Sequence, residues 1–563
     1  MTALLAADAT RLDAEPVDYT LLVIYFAIVL GIGFLARRSV ASSLDFLLSG
    51  RALPAWVTGL AFISANLGAL ELLGMAANGA QYGIPTVHYY WIGAIPAMVF
   101  LGLVMMPFYY GSRVRSVPEF LLRRFNKTTQ RVQALAFAVA SLLIAGVNLY
   151  ALAVVMQALL GWSLVISIIV AAAVVLSYTT LGGLSAAIYN EVLQFFVIVA
   201  ALVPITVAGL ARVGGYDGLV DKVTNAEGGG ADQVNAWPAV NLTQIDSSFL
   251  SIFGLVFGLG FVLSFGYWTT NFAEVQRAMS AKSMSAARRT PLIGAYPKAF
   301  FPLIIIIPGM IGGVLVPQLQ QLKAGGQTDV TYTDTLPLLM GELLPNGMLG
   351  VAIAGLLASF MAGMAANISS FNTVFTYDLW EDWIRPDRED RYYLNVGRIV
   401  TVIGTVIAVG TAFIASGYSN IMDYIQTLFS FFNAPLFATF ILGLFWKRMT
   451  PTAGWTGLVS GILAAFTVDR LVAGGVLGLS GQGGAFVGAG AAFVVDVFVS
   501  VVVSLRTVPK PDEELRGLVW SLTPAEERRG GEAVGDDAGW YRSPPLLGGG
   551  VLALTVVLYL IFG

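Results

Sequence analysis

The sequence predicts an all-α polytopic membrane protein of about 14 transmembrane helices, with an inverted five-helix repeat and a discontinuous first helix in each repeat. Three observations carry that expectation. Of 563 residues 57% are hydrophobic and only 12% charged, at a mean hydropathy of +0.76, which is too apolar for a soluble globule of this length. The basic residues gather in short clusters between apolar runs, as in a chain that crosses a bilayer repeatedly. Finally, an acid, Glu71, stands within the apolar run from about Leu53 to Ala77. An ionisable group at that depth costs roughly 2.5 to 3.5 kcal/mol, so it marks a wet cavity or a partner.

Composition also excludes function classes. There is no cysteine, which removes disulfides and thiolate chemistry, and His88 is the sole histidine, which removes clustered histidine metal sites. A net charge of −3 with no continuous basic face argues against a nucleic-acid partner. Neither an enzyme nor a prosthetic cofactor is expected. The first residues, to about Asp18, are acidic and lack the basic start of a cleavable signal.

Taken in order, the first run (about Tyr19 to Leu35) meets Arg37 and Arg38, which places the N-terminus outside. The second contains Ile63-Ser-Ala-Asn-Leu-Gly-Ala-Leu-Glu-Leu-Leu-Gly74, where Asn66, Gly68 and Gly74 loosen the helix around Glu71. Runs at about Val87 to Tyr109, Val132 to Leu160, Ser163 to Tyr178 and, after a linker over residues 179 to 194, to Leu210 complete a first set of five. The return at Tyr109 meets the basic stretch Arg113 to Arg131, on the inner side.

A second set runs from Phe249 to Phe272, Pro291 to Leu315, Met340 to Tyr377, Val396 to Ala415 and Ile421 to Phe445, with Arg277, Arg288, Arg388 and Lys447 among the basic residues assigned to the inner side. Three further runs, Ala453 to Val468, Gly484 to Leu505 and Leu546 to Phe562, leave both termini outside. The divisions are 1–52, a tail and extra first helix; 53–212, the first repeat; 213–248, an acid-rich extracellular loop; 249–446, the inverted second repeat; and 447–563, three helices with a solvated cytoplasmic loop near 506–544. Because five is odd, consecutive sets of five oppose one another, which is the geometry of an inverted-repeat transporter. The glycines Gly254, Gly258, Gly260 and Gly266 place the second discontinuity before Tyr267, although glycine is also packing material in membrane helices.

Several side chains have two readings. Glu71 either borders a central cavity or is protonated and bonded to a neighbouring helix. Lys298, between Pro297 and Pro302, either pairs with an acid or a solute hydroxyl or snorkels to the headgroups. Gln426 suits a hydroxyl-rich solute or a helix-to-helix bond. His88 is a ligand, a proton carrier or part of an aromatic belt with Tyr89, Tyr90 and Trp91. Tyr267 and Trp268 stack on a sugar face, gate the site or anchor the helix. Glu191 is a second candidate acid, or one stabilised by a helix dipole.

Phe46-Leu-Leu-Ser-Gly-Arg51, Ser64-Ala-Asn-Leu67, Val117-Pro-Glu-Phe120, Leu181-Gly-Gly-Leu-Ser185, Gln276-Arg277, Ala281-Lys282 and Leu444-Phe-Trp-Lys447 together resemble the sodium/solute symporters, and within them the sodium/glucose (galactose) branch. That resemblance implies hydroxyl contacts from positions matching Glu71, Tyr90, Ser264, Lys298 and Gln426, with Tyr267 as inner gate and Trp268 beside it. Glu71 stands where Gln or His is usual, Tyr90 replaces Glu, and Ser264 replaces Asn or Thr. The implied sodium ligands are carbonyls matching Ser64, Leu67 and Ser359 plus two hydroxyls, and those two positions are Ala362 and Gly363. Sodium needs several oxygens to replace its water.

The expected function is therefore import of a small neutral solute, a hexose such as glucose or galactose favoured, across the cytoplasmic membrane. The coupling cation is a proton, carried by Glu71 or Glu191, in preference to sodium. The alternatives are a sodium-coupled symporter of an amino acid or organic acid, and a membrane sensor on a transporter scaffold. Its partners are the solute and membrane lipid.

Overall fold

The computed structural model describes residues 14–36, 42–245, 247–328, 330–417, 421–479, 481–529 and 542–562, so Arg37, Arg38 and Asp246 lie outside the described residues. The regular structure in these segments is helical, apart from a lone bridge that pairs Leu53 with Ala281. The spanning helices are α1 (Pro16–Ala36), the bent pair α2 (Ala55–Asn66) and α3 (Leu70–Tyr82), α4 (Ile84–Gly111), α5 (Lys127–Leu160), the shorter α6 (Leu164–Ser177) and α7 (Gly183–Val213). The second half holds α8 (Ser248–Thr270), the half-helix α9 (Phe272–Met279), α10 (Met284–Leu315), α11 (Met348–Ile384), α12 (Asp390–Ala415) and α13 (Ile421–Phe445). The peripheral helices are α14 (Pro451–Ala473), α15 (Gln482–Arg506) and α16 (Pro544–Phe562). Twelve of these are long apolar spans, the bent pair makes thirteen, and α6 supplies the remaining short one.

Apolar length makes these segments helical in lipid, because only internal hydrogen bonding satisfies the backbone there. Polar residues set their starts: Asn126 accepts from the Thr129 amide, Ser283 from Ala286 and Thr450 from Ala453. The first discontinuity is where the sequence places it, with α2 and α3 meeting at 58° across Leu67 to Ala69. The second lies further along than the glycines. Residues Gly254–Ser264 wind as π-helical turns, and the chain breaks at Asn271 (φ −68°, ψ 112°), whose side chain caps α9 at Ala273. The glycines serve packing instead: a Cβ at Gly258 would meet the Phe486 carbonyl at 2.9 Å, and one at Gly266 the Asn433 carbonyl at 2.8 Å.

Other expectations change. Residues 179 to 194 are helical, not a linker, and the turn is concentrated at Gly183 (φ +54°), where the Phe46 backbone leaves no room for a side chain. The span expected from Met340 starts at Met348, because a separate helix, Thr335–Leu343, precedes it. The described part of the 506–544 segment is not merely solvated: Lys510 donates to the Arg123 carbonyl at 3.0 Å, and Arg528 stacks on Trp520 at 3.9 Å. Two arginines read as topology markers are buried. Arg124 donates to the Gly443, Trp446 and Met449 carbonyls at the end of α13, and burial pulls its guanidinium down to about 10. Arg277 pairs with Glu191.

The extra first helix is attached by charge as well as by apolar contact. Buried Asp18 accepts from the amides of Gly347 and Gly350, both at 2.7 Å, so a carboxylate of α1 sits on the N-terminus of α11. Both helix starts therefore lie on one membrane face, as alternation of the spans requires. Asp18→Ala should cost about 1–2 kcal/mol, read as a lower thermal midpoint in detergent, whereas an unchanged midpoint would mean that α1 is held by apolar packing alone.

Candidate functional site

The break in α2–α3 exposes backbone groups that no helix satisfies, and two other helices supply the partners. Ser359 of α11 donates to the Leu67 carbonyl, and the Asn148 carboxamide of α5 accepts from the Ala69 amide at 2.9 Å while donating to Ile144 at 3.0 Å. The amide fits because both neighbours lack side chains: a Cβ on Gly68 or on Gly363 would run into Asn148. The unwound turn is thus held open by protein atoms.

One turn on, Glu71 faces inward. Lys298 of α10 bonds it at 2.5 Å and also donates to Asn66 Oδ1 at 2.7 Å. Both partners are only 2% exposed. The ammonium lies 4.6 Å from the Tyr90 ring centroid and 5.2 Å from that of Trp268, so aromatic faces complete its surroundings. Asn66 in turn donates to the Tyr267 hydroxyl at 3.0 Å, and Tyr267 donates to Glu274 at 2.7 Å. A continuous relay, Glu71, Lys298, Asn66, Tyr267, Glu274, therefore joins α3, α10, α2, α8 and α9.

All of the relay but Glu274 lines a cavity of about 40 Å³. At roughly 10–15 Å³ per water, that holds about three. Its walls include Glu71, Tyr90, Ser264, Tyr267, Trp268, Lys298 and Gln426, seven of the eight residues that the sequence nominated for solute contact. Glu71, Tyr90 and Ser264 all lie in π-helical turns, a winding common at functional sites. The Gln426 carbonyl oxygen makes no hydrogen bond, and the Tyr90 hydroxyl stands beside Glu71 without one of normal geometry. Buried polar atoms left unpaired in this way have capacity for a ligand.

The eighth, His88, lies outside this lining. Its Nε2–H donates to the Ala236 carbonyl at 2.8 Å, its Nδ1 meets the Tyr559 hydroxyl at 2.6 Å, and its ring lies 4.2 Å from that of Trp237. The ring therefore ties α4 to the 213–248 loop and α16. Of the residues nominated for the cation, Ser64, Leu67, Ser359 and Gly363 gather at the break, where the Ser64 hydroxyl is buried without a partner. Glu191 is elsewhere, fully buried and paired with Arg277 by two bonds.

Asn148 and Glu274 escaped the sequence reading. Nothing local marks Asn148 among the polar residues of α5. Glu274 had a signal: it is the one acidic residue between Asp246 and Asp329.

A sequence model of the Sodium:solute symporter family matches residues 46–461. The chain is 29% identical to the Sodium/glucose cotransporter of Vibrio parahaemolyticus over 463 residues, covering 79% of this chain and 84% of that one. It is 30% identical to Sodium/glucose cotransporter 1 of Oryctolagus cuniculus over 553 residues (91% and 82%), and 30% identical to Sodium/myo-inositol cotransporter 2 of Rattus norvegicus over 472 (80% and 69%). Among solved structures, a substrate-bound, outward-open Na+-coupled sialic acid symporter superposes with a TM-score of 0.72 at 18% identity, covering 88% of this chain and 99% of that one, and so shares the fold.

Removing one member of a buried ion pair strands the other, at about 3–5 kcal/mol. Lys298→Met should therefore lower the thermal midpoint sharply, and the double variant Glu71→Gln/Lys298→Met should recover most of the loss. A double variant no more stable than the single one would show that the pair is not the source of the penalty.

Proposed function

The chain belongs to the sodium:solute symporter family, and we propose that it imports a neutral hexose, such as glucose or galactose, together with a proton. Membership makes it a multi-pass, cation-coupled symporter of small solutes and not an enzyme. The observation that carries the solute reading is the Lys298–Glu71 pair at the cavity wall, flanked by Trp268 and by the unpaired oxygens of Tyr90 and Gln426.

The pair is neutral as a whole, so an anionic solute gains no net attraction. Each charged member nevertheless makes strong bonds with hydroxyls, worth about 1.5–3 kcal/mol. An indole face beside such groups suits the apolar face of a sugar ring. The relatives named for glucose and for myo-inositol, both polyhydroxylated rings, support the same class. A hexose exceeds the space now present, so the walls must retreat around it, and Tyr267 is the side chain whose bonds to Asn66 and Glu274 would have to open.

The proton reading rests on the chemistry of the break. Sodium binds through several oxygens, and here Ala362 and Gly363 supply no hydroxyl, the Leu67 carbonyl is engaged by Ser359, and Asn148 occupies the space above Gly363. The names of the relatives favour sodium as the second reading.

Counterflow of labelled sugars into proteoliposomes, repeated with imposed gradients, separates these. Glucose or galactose should exchange, and an acid-outside gradient should drive accumulation without sodium. Accumulation driven by sodium alone would overturn the proton reading, and absence of exchange with any sugar would overturn the solute reading. Gln426→Leu should raise the half-saturation concentration about tenfold, the loss of one hydrogen bond of about 1.4 kcal/mol.

A further inference from the structure

We propose that Glu274 is the group that takes up the coupling proton, and that Tyr267 conveys its protonation state to the solute cavity. This rests on the proton reading above and assigns it a site. Glu71 and Glu191, the acids nominated from sequence, each bond a cation, Lys298 and Arg277 respectively. Glu274 is as deeply buried, at 2% exposure, yet among the described residues no lysine or arginine forms an ion pair with it. One of its oxygens accepts from the Tyr267 hydroxyl and the other, Oε2, has no partner. Other buried acids also lack an ion pair among the described residues, but Asp18 bonds backbone amides, Asp378 bonds Gln130 and Asp496 bonds Thr439 and Ser500, and none of these partners lines the cavity as Tyr267 does.

The step balances simply. A proton adds to Oε2, and Oε1 keeps the Tyr267 bond but as a neutral acceptor. Hydrogen bonds to ionised acceptors are roughly twice as strong as neutral ones, so protonation loosens Tyr267 and loss of the proton tightens it. Tyr267 also holds Asn66, and Asn66 holds Lys298, so the change reaches the solute pair through two bonds. On the expected topology Glu274 lies on the inner side of Tyr267, where an opened gate would admit water to remove the proton. Coupling then arises because the gate-open state and the protonated state favour each other.

Its ionisable surroundings are Tyr267 from α8, Lys298 from α10, Glu191 from α7 and Arg277 on α9 itself. Helix α2 carries no ionisable side chain, and those of α11 begin at Tyr377. Elements at the far end of α9 bring Tyr109 and Tyr110, bonded to the Thr269 and Ala281 carbonyls, and Asp45, which caps its own helix.

The test measures protons moved per sugar in proteoliposomes holding a trapped pH dye, with labelled glucose or galactose as the solute. Wild type should acidify as sugar enters. Glu274→Gln, which keeps an oxygen for Tyr267 but cannot titrate, should lower the proton-to-sugar ratio at least tenfold, and Glu274→Asp should restore it with a shifted pH midpoint. An undiminished ratio in Glu274→Gln overturns the assignment. Should that variant not fold, an unshifted midpoint in Glu274→Asp overturns it equally. Sugar entry without proton movement in wild type would instead remove the proton reading itself.

Discussion

A helix unwound within lipid must find partners for every backbone group that it frees, and the turn from Leu67 to Ala69 meets that requirement by borrowing. Ser359 takes the Leu67 carbonyl and Asn148 the Ala69 amide, so α5 and α11 are committed to positions beside α2 and α3. The 58° bend that results turns Glu71 toward α10 and sets the cavity floor. Gly68 and Gly363 are needed for the same reason, since a methyl group on either would expel the Asn148 amide. The Glu71 side of the cavity, the cation candidates and the relay to Tyr267 all follow from one interrupted winding.

Charge is handled by the same economy. Each deeply buried charge described above has its counterpart on another element: Lys298 with Glu71, Arg277 with Glu191, Asp18 with the start of α11, Arg124 with the end of α13. Such pairs strongly penalise loss of one partner while adding little to net stability. Glu274, like Asp496, bonds a hydroxyl and not a cation, but its hydroxyl belongs to Tyr267, a side chain of the cavity wall.

Family membership and local departure are compatible here. The fold is the family's, and the resemblance to the sugar branch implies the residue types found at Tyr267, Trp268, Lys298 and Gln426; by that same resemblance Glu71 and the hydroxyl-free Ala362 and Gly363 are departures. The cavity accommodates the first change directly, because Lys298 reaches Glu71 and Tyr90 lies over the ammonium. Around the second, a carboxamide stands where a side chain on Gly363 would have been.

The order of the spans, the odd-numbered repeats, the break beside Glu71 and seven of the cavity residues were legible in the amino-acid sequence, because apolar length, charge placement and glycine content act locally. The glycines of α8 misplaced the second break, since the same residue serves both unwinding and close packing, and only the Phe486 and Asn433 carbonyls distinguish the two. His88, Arg124 and Arg277 were read by their surroundings in sequence and proved to bond groups far along the chain. Glu71 meets Lys298 across 227 positions and Leu67 meets Ser359 across 292. The sequence alone determined which residues could not rest in lipid unaided. The tertiary structure decided what each one rests against, because a hydrogen bond depends on distance in space and separation along the chain does not record it.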